Sequence, residues 1–173
     1  MTNEPNESDS ENAQTNRSDS SAEFELYNGR KLKIAVIGSS PKVREDQVEF
    51  NEISFDELKN NEMNTYDAVF IMKEKLSQAA ESQYADIYSS STIPFFFITA
   101  KSHIPFTLKD TEYSKSWEWT PGNMYTSSVM NNSENNSLNG WGVSLYNDEK
   151  TEAHITSMYS FIFKKIEEVG LEE

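Results

Sequence analysis

Three short apolar runs dominate the hydrophobic pattern. Residues 31–38, Lys-Leu-Lys-Ile-Ala-Val-Ile-Gly, are β-branched at Ile34, Val36 and Ile37 and end on Gly38. Ala68-Val-Phe-Ile-Met72 and Ile93-Pro-Phe-Phe-Phe-Ile98 are apolar throughout. Runs of this length without alternation read as parallel strands buried on both faces. Pro94 is tolerable because it stands at the start of its strand. Between the second and third runs, Leu76, Ala80, Tyr84, Ile87 and Tyr88 follow helical spacing and predict a helix over 74–89. Strand, helix and strand joined by short links make a right-handed parallel unit.

The flanking pattern is less regular. Ser39 to Gln47 is too short for a helical crossover, so the first crossover is expected to be reduced. Val48 to Ile53 alternates imperfectly and reads as an edge strand. Ser54-Phe-Asp-Glu57 has the spacing of a capping box and predicts a short helix over 55–61. Residues 101–123, with Pro105, Pro121-Gly122, Trp117 and Trp119, are expected to be irregular. Met124 to Met130 and Trp141 to Tyr146 read as strands flanking a polar loop, Asn131 to Gly140, and predict an antiparallel hairpin on the sheet edge. A last helix is expected over 149–169, capped by Asp148 and stopped by Gly170, with Ile155, Met158, Tyr159, Ile162, Ile166 and Val169 as its core stripe. The expected fold is therefore α/β: a three-layer, mainly parallel, Rossmann- or flavodoxin-like sheet with a reduced first crossover and an antiparallel C-terminal hairpin.

Composition divides the 173 residues unevenly. Residues 1–25 carry seven acids, one base (Arg17) and a single large aliphatic or phenyl side chain, Phe24. Such a segment buries too little apolar area to offset its ordering entropy and is expected to be a disordered tether before one α/β domain, 26–173. The formal charge is −14, and no basic stripe exists to neutralise phosphates, which argues against nucleic acid and anionic lipid as partners. The run Arg30-Lys31-Leu32-Lys33 suits solubility at a strand edge. With no cysteine, disulfides, Cys-ligated zinc, iron–sulfur clusters and thiol catalysis are excluded. No run of 18 apolar residues is present to span a membrane.

The Ser-, Asn- and Glu-rich segment MTNEPNESDSENAQTNRSDSSAEFE resembles the tether that follows the lipid-modified cysteine of Gram-positive extracytoplasmic lipoproteins. That resemblance implies a lipid-anchored, extracytoplasmic protein, with Met1 standing where the lipid-attachment Cys would be.

In an open α/β sheet the ligand crevice lies at the carboxyl ends of the strands. Ser39, Ser40 and Lys42 follow the first strand, Lys73 the second, and Thr99, Lys101 and His103 the third. Together they could hold a small polar or anionic ligand. The loop lacks the GxGxxG and GxxxxGK[ST] spacings, so no nucleotide cofactor is expected. The two histidines, His103 and His154, have no metal-ligand spacing, and no GxSxG elbow accompanies the many serines. Receiver domains resemble this topology. Here Gly38-Ser39-Ser40 and Lys73-Glu74 stand where receivers place their acids and phosphorylatable Asp, while Thr99 and Lys101 match the receiver's late Thr/Ser and Lys. Trp117 and Trp119, with Tyr113 and Tyr125, could form a stacking platform for sugar or peptide. The sequence favours a non-catalytic extracytoplasmic domain binding a small ligand or a protein. An enzyme or binder acting on a small anion, and a degenerate receiver-like signalling module, are the alternatives.

Overall fold

The structure, a computed structural model, describes residues 25–60 and 63–171. All but the last residue of the expected tether, 1–25, lies outside the described residues.

Six strands form one sheet in the order β2-β1-β3-β4-β5-β6. β1 (Leu32–Ile37), β2 (Val48–Glu52), β3 (Ala68–Ile71) and β4 (Phe95–Ile98) are mutually parallel. β5 (Thr126–Asn132) returns antiparallel to β4, and β6 (Ser137–Val143) pairs antiparallel with β5. The fold is thus α/β with a mixed, mostly parallel sheet and a C-terminal hairpin.

The three apolar runs are central because both their faces are covered. Ile34, Val36, Phe70 and Phe96 point to one face. There the long helix α5 (Glu152–Leu171) brings Met158, Tyr159, Ile162 and Phe163 down on them. The Phe163 ring stacks parallel to that of Phe70. Ala35, Ile37, Val69, Phe95 and Phe97 point to the other face. That face is covered by α1 (Phe55–Asn60), α2 (Leu76–Ala79), α3 (Ala85–Ser90) and α4 (Ile104–Thr107). Tyr88 lies 5.1 Å from the rings of both Phe95 and Phe97, and Phe106 stacks on Phe97 at 4.0 Å. Each buried aromatic contributes roughly 2–3 kcal/mol by area, so β4 is the energetic centre of the sheet.

The link between β1 and β2 holds no helix. It is fastened by side chains instead. Val43 packs into the α5 side of the core, and buried Glu45 accepts hydrogen bonds from the Ser160 hydroxyl and the Tyr27 N–H. The capping box forms as spaced: Ser54 Oγ accepts from the Glu57 N–H at 3.1 Å, and Glu57 Oε1 accepts from the Ser54 N–H at 3.0 Å.

Several boundaries differ from expectation, among them β5, which runs Thr126–Asn132, β6, which ends at Val143, and a helical turn, Ile104–Thr107, inside the stretch expected to be irregular. The helix over 74–89 is broken into 3₁₀ and α segments, with Glu81 extended, because the Ala79 carbonyl is taken by the Tyr88 hydroxyl at 2.9 Å. α5 is capped by Thr151, whose Oγ1 accepts the His154 N–H at 3.1 Å. Asp148 instead sits in a 3₁₀ turn with φ of 55°. Gly170 does not stop α5, which continues to Leu171. The hairpin turn is shorter than the predicted polar loop: Ser137 to Gly140 belong to β6, where an exposed edge strand needs no apolar side chains.

Candidate functional site at the carboxyl ends of the parallel strands

β1 ends on Gly38 with φ of +111°. A Cβ there would meet Met72 Cβ and Glu74 Oε2 at 2.8 Å, so only glycine lets the chain turn so close to the end of β3. The turn aims the amides of Ser39 and Ser40 into the crevice. Both are already taken. Glu74 Oε2 accepts the Ser39 N–H at 2.7 Å; Glu52 Oε2 accepts the Ser40 N–H at 2.9 Å and its hydroxyl at 3.0 Å. The Ser40 amide and hydroxyl bonds hold the Glu52 carboxyl below its ordinary range. For Glu74, burial is the largest single influence and would raise the value, but the bonds from Ser39 and from its own backbone N–H, with the Lys75 charge, together outweigh it and the net direction is downward. Two carboxylates from the protein itself therefore stand where an anionic ligand would be held.

The cleft beside this turn measures about 610 Å³, and Gly38, Ser39, Glu52, Asp56, Glu57, Glu74, Lys75 and Gln78 are among the residues that wall it. Its walls are acidic rather than basic. Among the described residues no three His, Asp or Glu side chains converge to hold a metal ion.

The predicted site residues do not share this cleft. Ser39 lines it, and Ser40 is tied to its wall. Lys42 is exposed and pairs with Glu152 at the start of α5, 3.4 Å away. Lys73 is exposed on the turn after β3 and does not line the cleft. Thr99 is buried at the end of β4 with φ of 74°, a left-handed conformation that costs a β-branched residue roughly 1–3 kcal/mol. Its carbonyl accepts the Trp119 N–H, and the Lys101 N–H donates to the Trp117 carbonyl. Residues 117–119 thus strap the end of β4. His103 leaves the crevice altogether. Its ring stands on Gly140 of β6, which is in register with Val129 and, through it, with Phe95 at the opposite end of β4 from Thr99. Burial lowers the His103 pKa, favouring the neutral ring, and Nδ1 lies 3.2 Å from Thr107 Oγ1.

The four aromatic residues do not make one platform. Trp119 packs with Tyr125 into the α5 side of the core, its Nε1–H donating to the Asn123 carbonyl at 3.1 Å. Tyr113 belongs to the opposite side, stacked on Phe106 at 5.7 Å, where burial pushes its hydroxyl pKa up to about 12. Trp117 is half-buried in the strap. Asp67 lies at the amino end of β3, the opposite end from this crevice, bound by Arg30 at 3.0 Å and by the Lys33 N–H at 2.8 Å.

What sequence reasoning missed is the pairing of Glu52 and Glu74 with the Ser39 and Ser40 amides; their only sequence signal is position, Glu52 at the end of one predicted strand and Glu74 just after another. The hairpin was expected on the sheet edge, but not that its outer strand begins at Ser137. Among the described residues no helix is long and apolar enough to cross a membrane. No family model, no curated protein and no solved structure matches this chain.

Proposed function

We propose that this chain is a non-catalytic interaction domain, built on a three-layer, flavodoxin-like doubly wound core and recognising its partner outside the usual ligand crevice. One observation carries the reading: the Ser39 and Ser40 amides, at the place where such folds bind ligands, are occupied by Glu74 and Glu52. A small anion would have to displace two carboxylates and then sit among others. The dispersal of His103, Thr99 and Lys73 removes the groups a general acid–base or nucleophilic mechanism would need within reach of one substrate. The composition of residues 1–25 supports a tether that holds the domain at the outer face of a cell membrane through a lipid anchor.

Thermal denaturation of the full chain against inorganic phosphate, nucleotides and small dicarboxylates tests the first part. No stabilisation is expected. A saturable rise in melting temperature that disappears in Ser40→Ala would overturn it. Fractionation of cells expressing the native gene tests the second: the protein is expected in the detergent-released membrane fraction, and its recovery in the cytosol would refute anchoring.

A further inference from the structure

β6 is the last strand of the sheet, and no described residue pairs with its outer side. Its inner side is identified by two contacts: the Val143 carbonyl accepts the Tyr125 N–H, and the Trp141 carbonyl accepts the Ser128 hydroxyl. Backbone direction alternates along a strand, so the N–H and C=O groups of Leu138, Gly140 and Gly142 point away from the sheet. From Ser137 to Asn147 the chain has no charged residue, in a protein of net charge −14. Natural edge strands are usually protected by lysines, prolines or bulges; this one has none. Apolar side chains flank it: Leu138 is 38% exposed, Met124 43% and Phe161 50%. Met124 lies over Gly142, and Phe161 lines a cleft of about 460 Å³ between the end of β6 and α5.

We propose that β6 pairs antiparallel with β6 of a second copy of this chain, about a twofold axis at Gly140, joining two six-stranded sheets into one. The inference rests on the interaction-domain reading and names the partner. Reversal of the strand about Gly140 places each of the outward groups Leu138, Gly140 and Gly142 opposite an outward group of its mate. Two features select a second copy over a foreign strand. In that register each Leu138 faces Gly142 of the mate, a large side chain against none, and lands on the Met124 that covers it. The neutral stretch brings no like charges together, which a strongly acidic chain needs before it can self-associate. A seam of one strand plus its flanking side chains falls in the small, weak class of interfaces, so the dimer should dissociate on dilution.

Sedimentation equilibrium of the full chain, read with hydrogen exchange, tests this. The expected result is a reversible shift from monomer to twice the monomer mass as concentration rises, with the 138, 140 and 142 amides becoming protected together. Leu138→Lys, at an exposed site, should weaken association at least about tenfold. Leu138→Pro, which removes only an outward N–H, should do the same without disturbing the β5–β6 ladder. A dimer that survives both substitutions uses another face and overturns the proposal. So does a protein that stays monomeric, with unprotected edge amides, at the highest soluble concentration. If that monomer still binds a synthetic peptide of residues 137–143, the second copy is refuted while the interaction-domain reading stands; if it binds nothing, both lose support.

Discussion

The two edges of the sheet are built by opposite rules. β2, at one edge, carries Glu49 and Glu52 and is held by the link that precedes it. Glu45 ties that link to α5, Gln47 donates to the Tyr27 carbonyl at 2.8 Å, and Glu52 is tied to Ser40. β6, at the other edge, carries no charge and two glycines, and its backbone pairs with β5 alone among the described residues. Charge guards the first edge and side-chain bonds fix the link beside it; the second has, among the described residues, unpaired outward backbone groups and an apolar rim. The same sheet thus ends in one charged side and one side fit to be extended.

The largest effect expected from breaking this comparison is at Glu45. Glu45→Ala orphans the buried Tyr27 N–H and releases the link from Ser160, and should cost about 2 kcal/mol in urea denaturation at neutral pH. A loss within error of wild type would show that Val43 packing alone seats β2. On the other edge, Gly140→Ala puts a Cβ 2.8 Å from His103 Nε2 and 3.3 Å from the Ser128 carbonyl, and should cost about 1–2 kcal/mol. In the double variant Gly140→Ala/His103→Ala much of that loss should be recovered as a coupling energy. Additive losses would place the strain in the backbone.

Smaller effects follow from pH. Burial lowers the His103 pKa below its ordinary 6.5, so the unfolded chain takes up that proton first. Stability should therefore decline as pH falls through 6.5, and His103→Gln should flatten the decline. Glu52 and Glu74 have the opposite chemistry and the same sign. Their folded pKa values are lowered from the ordinary 4.5, so their contribution is complete above that value and lost as pH falls below it. The Ser39 and Ser40 amide resonances should titrate with the two carboxylates; resonances that stay fixed through this range would refute the assigned hydrogen bonds.

What could be read in advance follows the same division. β1, β3 and β4 were legible because burial on both faces forces continuous apolar runs. The first residues of β6, Ser137 to Gly140, were not, since one open edge lets a strand be polar and glycine-rich. The break in the helix after β3 depends on Tyr88 reaching the Ala79 carbonyl, a contact that helical spacing does not encode. At the crevice, Ser39 and Ser40 were placed correctly by strand ends. Their acceptors come from 35 and 12 residues away, and nothing in the local pattern pairs them. His103 was misjudged because the chain after β4 doubles back across the sheet face, a path set by Phe106 stacking on Phe97.

The smallest expected change in stability carries the sharpest test of the edge comparison. Glu49 is exposed on β2, in register with Lys33 on β1. Exposed cross-strand charges contribute little, so Glu49→Val should shift the urea midpoint by no more than about 0.5 kcal/mol equivalent. Its effect should appear in association instead. With one edge charge gone and a β-branched residue in its place, β2 loses part of what keeps other strands away. In the Leu138→Lys background, where β6 pairing is suppressed, Glu49→Val should bring back concentration-dependent association, now through β2. A double variant that remains monomeric would mean that the anchoring by Glu45, Gln47 and Ser40, rather than charge, closes that side. The two edges would then differ by attachment and not by electrostatics.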